Sequence, residues 1–407
     1  MTVCCSRRTV LAAGLAGLAA PAVGAQLAYA ADPDYAGDVF VLLSLRGGFD
    51  GLSAVVPAGD PAYYAARPTI AVPKTQLIGG DGFFGLHPAL APLLPEWTAG
   101  RLAAVQAVGQ PAPNRSHFSA MEELERAAPG TSIRTGWLNR MLGSLGSTDP
   151  FHAVSMGTAR PARVLDGTAP YLGIGSIDGL TLTGDEAAKP IAATMAALYD
   201  GAPELMARTA GQLTGALSRA KELRTAGYTP ANGAVYPDTD LGAALRDVAR
   251  LITSDTGLIS ATVDSGDWDM HENLGPAQPG RRMHDQLNRL ALALAAFARD
   301  LGPDRMRRVT LITISEFGRR VAQNGSGGLD HGYGNAMFVL GGGVRGGRVY
   351  GSWPGLTSGQ LRDGDLAVTT DYRAVIGEIL RARCGVGDLA SVFPGVTASA
   401  LGLVAAR

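Results

Sequence analysis

The run Val309–Ile314 (VTLITI) is β-rich and largely apolar, with Arg307-Arg308 before it and Ser315-Glu316 directly after it. Such a run reads as a buried strand that delivers Glu316 to its end. A polar, glycine-rich loop, Asn324-Gly325-Ser326-Gly327-Gly328, follows and ends on Asp330-His331-Gly332. Glu316, Asp330 and His331 therefore hang on a strand end and the loop after it. Carboxylate oxygen and imidazole nitrogen are the donor atoms that bind Zn²⁺ and other first-row ions.

The same layout recurs along the chain. Asp38–Leu45 (DVFVLLSL) is a nearly continuous apolar strand, of the kind buried on both faces of a parallel sheet. It runs through Arg46-Gly47-Gly48-Phe49 into Asp50. Leu102–Val108 leads through Gly109-Gln110-Pro111 to Asn114-Arg115-Ser116-His117-Phe118, and Gly257–Val263 leads to Asp264–Asn273. In that last segment Asp269 and His271 alternate on one side of an extended backbone, so both can reach one ion. Phe151–Met156 and Ala336–Leu340 are further strands by composition. Ends of parallel strands in an open α/β sheet share one edge, so these polar clusters are expected to converge there.

Helices fill the remainder. Ser119 and Glu122 have capping-box spacing, which predicts a helix over Ser119–Ala127 and places Ser116 at or just before its N-terminus. Free N–H groups there favour an anion or an activated alkoxide, although a plain N-cap serine has the same signature. Met283, Leu287, Leu290, Leu294, Phe297 and Leu301 form the stripe of a long helix, and Asp371–Arg383 forms another. His284, beside the first stripe, reads as a helix-surface histidine. Residues 185–255 read as a mainly helical insertion or flank.

A formal charge of −1 over 407 residues supplies no basic field for nucleic acid. Apolar residues at 46% and charged ones at 17% describe a globular chain, not a disordered one. The N-terminus carries an address: Ser6-Arg7-Arg8-Thr9-Val10-Leu11 is a twin-arginine pattern, Leu11–Val23 a mildly apolar run, and Ala28-Tyr29-Ala30 a small-residue cleavage site. That run is shorter than the about 20 apolar residues a membrane span needs. Residues 1–30 are thus expected to be an export signal, with an extracytoplasmic protein (periplasmic or secreted) from 36 to 407 as one domain. Cys4 and Cys5 fall in the signal. Cys384 is left alone, so a thiolate zinc site and an internal disulfide are both excluded.

LRGGFDGLS, LHPALAPL, NRSHFSAME, GDWDMHEN, SEFGRR, GLDHGYGNAMFVLGGGVRGGRVYG and DLAVTTDYR together resemble the DUF1501 family of exported bacterial proteins, related to the alkaline phosphatase and sulfatase superfamily. The resemblance runs from about Asp38 to Phe393. It implies an α/β, alkaline-phosphatase-like sandwich with a mostly parallel central sheet and helices on both faces. By motif, Asp50, Asp269, His271, Glu316, Asp330 and His331 would bind one or two divalent metal ions. Ser116 would be the nucleophile, with His117 beside it and Arg115 neutralising an oxyanion. The expected activity is hydrolysis of phosphate or sulfate esters on a small-molecule or polymer substrate. A non-catalytic binding or assembly role on the same scaffold, with a structural metal, is the alternative. The pair Asp269-x-His271, where the superfamily has a longer spacing, and Glu316-Phe317, where it has Asp-His, are departures. With fewer histidines, calcium, magnesium or manganese, or a single ion, would suit this set better than two zinc ions. Expected partners are the twin-arginine translocase and an exported DUF1800-type protein, with no nucleic acid and no permanent membrane span.

Overall fold

β1 (Val39–Leu45) is the middle of the molecule, paired in parallel with β5 (Ser260–Ser265) on one side and β6 (Val309–Ile314) on the other. The computed structural model describes residues 35–158, 161–181, 191–396 and 400–407. The expected export signal lies outside the described residues. Residues Ala31–Arg407 form one compact unit.

The other main-sheet strands are β2 (Leu102–Gly109), β3 (Ala153–Met156), β4 (Leu172–Ile174), β7 (Asn335–Gly341), β8 (Val349–Tyr350) and β9 (Thr370–Asp371). The order across the nine-stranded sheet is β8-β2-β7-β6-β1-β5-β3-β4, with β9 also on β2. Only β7 runs antiparallel to its neighbours β2 and β6; every other pairing in the sheet is parallel. The architecture is α/β with a mixed, mostly parallel sheet.

Alternation along β1 decides what covers each face. Phe40 and Leu42 point to one side, and Val41, Leu43 and Leu45 to the other, all buried. The first side packs on α2 (Trp137–Ser144) and α7 (Tyr372–Arg383), with Phe40 edge-on to Trp137 at 5.8 Å. The second packs on α5 (Asp240–Thr253) and α6 (Arg282–Met306) through Leu245, Leu287, Leu294 and Phe297. α1 (His117–Arg126) follows β2. It starts two residues ahead of the capping-box expectation, and Ser119 sits in its first turn. The helices α3 (Ile191–Leu198) and α4 (Glu204–Ala226) precede α5.

Buried polar groups close the ends. Asp38 takes Nε and Nη2 of Arg383, at 2.9 and 3.0 Å, with Arg407 and the Thr310 hydroxyl, which ties the start of β1 to α7 and the chain's end. The last turn of α6 is interrupted at Gly302, whose φ of 65° breaks the helix before Pro303. Just upstream, buried Asp300 accepts from Tyr228 and Tyr236 hydroxyls at 2.8 Å and fastens the 228–236 turn to the helix. Among the described residues no helix is long and apolar enough to cross a membrane.

His87 belongs to this frame. It is buried, its Nδ1 accepts from Ala89 N–H at 3.0 Å, and its ring lies 5.8 Å from that of half-buried His284. Burial, helped by His284 and opposed by Asp50, pushes its pKa down to about 3 from 6.5. The folded chain then refuses a proton that the unfolded chain accepts. Its stabilisation is complete above the unfolded value and is lost as pH falls toward the folded one. Between about pH 6.5 and about pH 5, wild type should lose about 1.5 kcal/mol more than His87→Gln. Urea unfolding at both pH values measures this, and equal losses in the two proteins would rule it out.

Candidate metal centre

β1, β5 and β6 end in step. Leu45 pairs with Ser265, and Ser44 with Ile314, so the loops beginning at Arg46, Gly266 and Ser315 leave the sheet at one edge. β2 ends there too, opposite the start of β7 at Val108 and Asn335. Phe49 and Trp268 meet edge-to-face at 4.9 Å and pack two of these loops together. Gln110 fixes a second pair: its amide donates to Ala120 O of α1 at 2.7 Å and to Glu316 O at 3.0 Å.

Asp269 and three imidazoles gather at this edge. His271 Nε2 lies 3.0 Å and His331 Nε2 3.5 Å from Asp269 Oδ1, and His117 Nε2 lies 3.5 Å from Oδ2. The two Nε2 atoms of His271 and His331 are 3.0 Å apart. Every other ring nitrogen is held from outside. His117 Nδ1 faces Glu316 Oε1 at 2.8 Å, His271 Nδ1 faces Asp330 Oδ1 at 2.9 Å, and His331 Nδ1 faces the Arg115 carbonyl at 2.8 Å.

These outer partners set the tautomers. A carboxylate or carbonyl only accepts, so each neutral ring places its single proton on Nδ1 and turns the Nε2 lone pair inward. Inside, lone pairs then face lone pairs and a carboxylate, a repulsion that the Arg319 guanidinium relieves from one side and that a bound cation would relieve further. His117 Nε2 is buried and has no hydrogen-bond partner. The separations of 3.0 to 3.5 Å from the Asp269 oxygens to the three rings, and between His271 and His331, are close to the donor-to-donor edge of about 3.3 Å that bonds of about 2.0–2.1 Å give around a tetrahedral ion. The donors fit a divalent metal. The donor atoms of His117, Asp269 and His331 all lie within 4.8 Å of one another, and His271 adjoins them.

Charge around the centre is arranged to keep Asp269 ionised. Burial alone would raise its pKa, but the hydrogen bond and charge of Arg319, with His271 and His117, hold it below the ordinary carboxylate value. The His271 hydrogen bond keeps Asp330 low as well. Burial, with Arg319 and the neighbouring rings, lowers His331 against the opposing pull of the Arg115 carbonyl, which favours the neutral, ligating ring.

Two glycines permit the close approach. Gly47 has φ of 114°, and a Cβ there would stand 2.6 Å from Asp269 N. A Cβ on Gly328 would stand 2.2 Å from the His271 carbonyl carbon, so the glycine-rich loop can press directly on the His271 backbone.

Several expected ligands are elsewhere. Asp50 is not at the centre: both of its oxygens are taken by the fully buried Arg67, at 2.7 and 3.0 Å. Arg67 also donates to Ser53 and to the carbonyls of Arg320 and Val321, leaving no donor unused. Glu316 and Asp330 stand behind His117 and His271 and orient them. Glu316 further accepts from Gly47 N–H and the Ser315 hydroxyl, both at 2.9 Å. His117, expected beside a nucleophile, faces Asp269 in a ligand's position. The Arg115 guanidinium is closed off by buried Asp365 and stacked 4.5 Å over Tyr333, so its contribution to the centre is its carbonyl. Ser116 is exposed, next to His117, and its side chain makes no cap hydrogen bond to α1. His87 and His284 pair apart from the cluster.

Arg319 is the residue that reading the sequence missed. It is buried and donates to the carbonyls of Gly47, Gly48 and Leu329 and to Asp269 Oδ1, the last at 2.6 Å. The only trace in the sequence is its place in Glu316-Phe317-Gly318-Arg319-Arg320, and nothing there separates the buried arginine from its half-exposed neighbour. A cleft of about 770 Å³ opens beside the centre, lined by Arg46, His117, Phe118, Asp264, Asp269 and Glu316. Phe118 is 90% exposed at its rim.

The sequence matches the family described as "Protein of unknown function (DUF1501)" over residues 38–376, and the chain belongs to that family. No curated protein matches the sequence. Among solved structures it is similar to the PsFucS1 sulfatase from Pseudoalteromonas sp., at 12% identity and a TM-score of 0.33, over 85% of this chain and 67% of that one. It is also similar to the lipoteichoic acid synthase LtaP from Listeria monocytogenes, at 8% identity and a TM-score of 0.33, over 82% of this chain and 74% of that one. Likenesses this distant assign no activity to the chain.

An outer partner that fixes a ligand's tautomer is worth about tenfold to a hundredfold in metal affinity. Asp330→Asn, at an exposed position, should therefore weaken metal binding by at least about tenfold while the folded chain melts as wild type does. Titration of the metal-free chain tests this, and unchanged affinity would remove Asp330 from the centre.

Proposed function

We propose that this chain is an exported, metal-dependent hydrolase of phosphate or sulfate esters. The observation that carries the reading is the inward-facing set of acceptors, His117, His271 and His331 Nε2 with Asp269, each ring backed by a partner that forces its lone pair inward. A bound divalent ion there would polarise an ester oxygen and lower the pKa of an adjacent hydroxyl.

The chain's own residues supply the remainder. Ser116 precedes His117 at the start of α1, where unpaired N–H groups and the helix dipole favour an oxyanion. Its hydroxyl, uncommitted to a cap bond, is the candidate nucleophile. Attack on phosphorus or sulfur would form a seryl ester and break the bond to the leaving alcohol, and water would then release the acid and restore the serine. The adjoining cleft offers space for the alcohol portion, with Phe118 as an apolar surface at its rim. Ser6-Arg7-Arg8 and Ala28-Tyr29-Ala30 support export by the twin-arginine route.

One observation favours the non-catalytic alternative. Asp50 and the Arg115 guanidinium, expected in the machinery, are both locked in ion pairs. Turnover decides between the two. The full-length chain, exported in its host and analysed for metal, should hydrolyse aryl phosphate monoesters, diesters or aryl sulfates. Ser116→Ala should keep its metal and lose roughly a thousandfold or more in kcat. A metal-loaded wild type inert toward all three substrates, or a Ser116→Ala chain as active as wild type, defeats the hydrolase reading. Metal retention without turnover would support the binding or assembly role.

A further inference from the structure

We infer that Asp365 is a positioning residue for the metal centre: it holds Arg115, and through Arg115 the carbonyl that fixes the His331 ring. The inference rests on the metal-centre reading above and adds to it a carboxylate that acts only through another side chain.

The loop between β8 and β9 folds back on itself at residues 362–365. Arg362 and Asp365 exchange both backbone hydrogen bonds, at 3.0 and 2.9 Å, around Asp363 and Gly364, whose φ values are 54° and 83°. Two successive residues at positive φ make the tight turn of a two-residue hairpin, for which Asp-Gly is a preferred sequence. Leu366, directly after, is fully buried in an apolar cluster with Val321 and Leu356, and its carbonyl accepts from Gly334 N–H at 2.9 Å. The turn is therefore anchored in the core on one side and presents Asp363 and Asp365 on the other.

From there it grips two loops of the centre. Asp365 is fully buried. Its Oδ2 accepts from Arg115 Nε at 2.9 Å and from Arg115 Nη2, and its Oδ1 lies 3.6 Å from Arg320 Nε. The Asp363 carbonyl accepts from Nη2 of Arg115 and of Arg320, at 3.3 and 3.2 Å, and the Asp363 carboxylate accepts from the Tyr333 hydroxyl at 3.4 Å.

Arg115 is the link to the chemistry. Its guanidinium faces Asp365, its carbonyl lies 2.8 Å from His331 Nδ1, and the next two residues are Ser116 and His117. Residues 111–119 are exposed or half-buried throughout, so apolar packing gives this segment little to rest on, and the ion pair supplies the anchor. With the anchor gone, the Arg115 carbonyl can leave His331 Nδ1. The neutral ring can then carry its proton on Nε2, the nitrogen turned toward Asp269, and a ring so protonated is no ligand.

Imidazole nitrogen NMR shifts, read on the metal-free full chain at about pH 8 where an ordinary histidine is neutral, tell the two tautomers apart. Wild type should show His331 protonated on Nδ1. Asp365→Asn keeps the shape and removes the charge that holds Arg115. It should show a mixture of tautomers and bind zinc about tenfold more weakly, the scale of an outer partner's effect. Gln360→Ala, exposed on the same loop, should match wild type in both readouts. Because Asp365 acts through Arg115, Asp365→Asn should change nothing further in an Arg115→Ala chain. A folded Asp365→Asn chain with the tautomer and zinc affinity of wild type overturns the inference and leaves the centre in place, as do additive effects of the two substitutions. A wild type that binds no zinc removes the metal-centre reading, while the tautomer comparison still decides whether Asp365 sets the ring. Should Asp365→Asn not fold, Arg115→Ala alone, which keeps the backbone carbonyl and loses its anchor, must show the mixed tautomer. A His331 ring protonated only on Nδ1 in that chain overturns the inference.

Discussion

Three parallel strands of equal reach make everything at this site possible. β1, β5 and β6 pair residue for residue up to their last turn of pleat, so their C-terminal ends form a straight edge. Loops separated by more than two hundred residues in sequence then start within neighbouring strand spacings, about 5 Å apart. A slip of one residue in any strand would exchange its two faces and break both cores at once. The hydrophobic alternation that holds the register thereby also holds the positions of Asp269, Glu316 and the carbonyls of Gly47 and Gly48.

Above that edge, the centre is organised by a division between donors and acceptors. Imidazole protons are drawn outward by Glu316, Asp330 and the Arg115 carbonyl, and among the described residues Arg319 directs donors inward. The carboxylates therefore have two distinct duties. Asp269 faces the inward Nε2 atoms, and Glu316 and Asp330 face the outer Nδ1 atoms. An ion bound through rings held this way meets ligands whose orientation was settled when the loops folded, so little is lost in ordering them.

Much of this was legible in the sequence, and the part that was not has a common cause. Val309–Ile314 and Asp38–Leu45 announce central strands because both faces are covered and no polar residue interrupts them for long. Asp269, His271 and His331 follow strands at spacings that make convergence the natural reading. What one chain position cannot disclose is its partner. Asp50 and Asp269 are both acids shortly after apolar strands, yet one meets Arg67 and the other meets imidazoles. Arg319 and Arg320 are adjacent and alike in sequence, but alternation sends the first inward to Asp269 and the second, far more exposed, toward buried Asp365. Glu316 looks like a ligand from its place at a strand end and becomes a support because His117 lies between it and Asp269. The helix after Ser116 begins earlier than its capping-box pattern implies, and its first residue, His117, reaches Glu316.

The Asp50–Arg67 pair sets the limit on how far the centre can rearrange. Drawing Asp50 toward an ion would strip a fully buried guanidinium of its counter-charge, and breaking such a pair costs about 3–5 kcal/mol. At about 1.4 kcal/mol per decade, that is a loss of roughly two to four decades in affinity for any ion that recruits it. The Arg67 bonds to Ser53 and to the backbone at 320 and 321 deepen the cost, because they would be held in place around a charge no longer matched. A divalent ion at this edge gains nothing comparable from one more carboxylate when Asp269 and three imidazoles already face it. Two arginines, one beneath the loop after β1 and one inside the loop after β6, thus set the boundary of the centre as firmly as its ligands do.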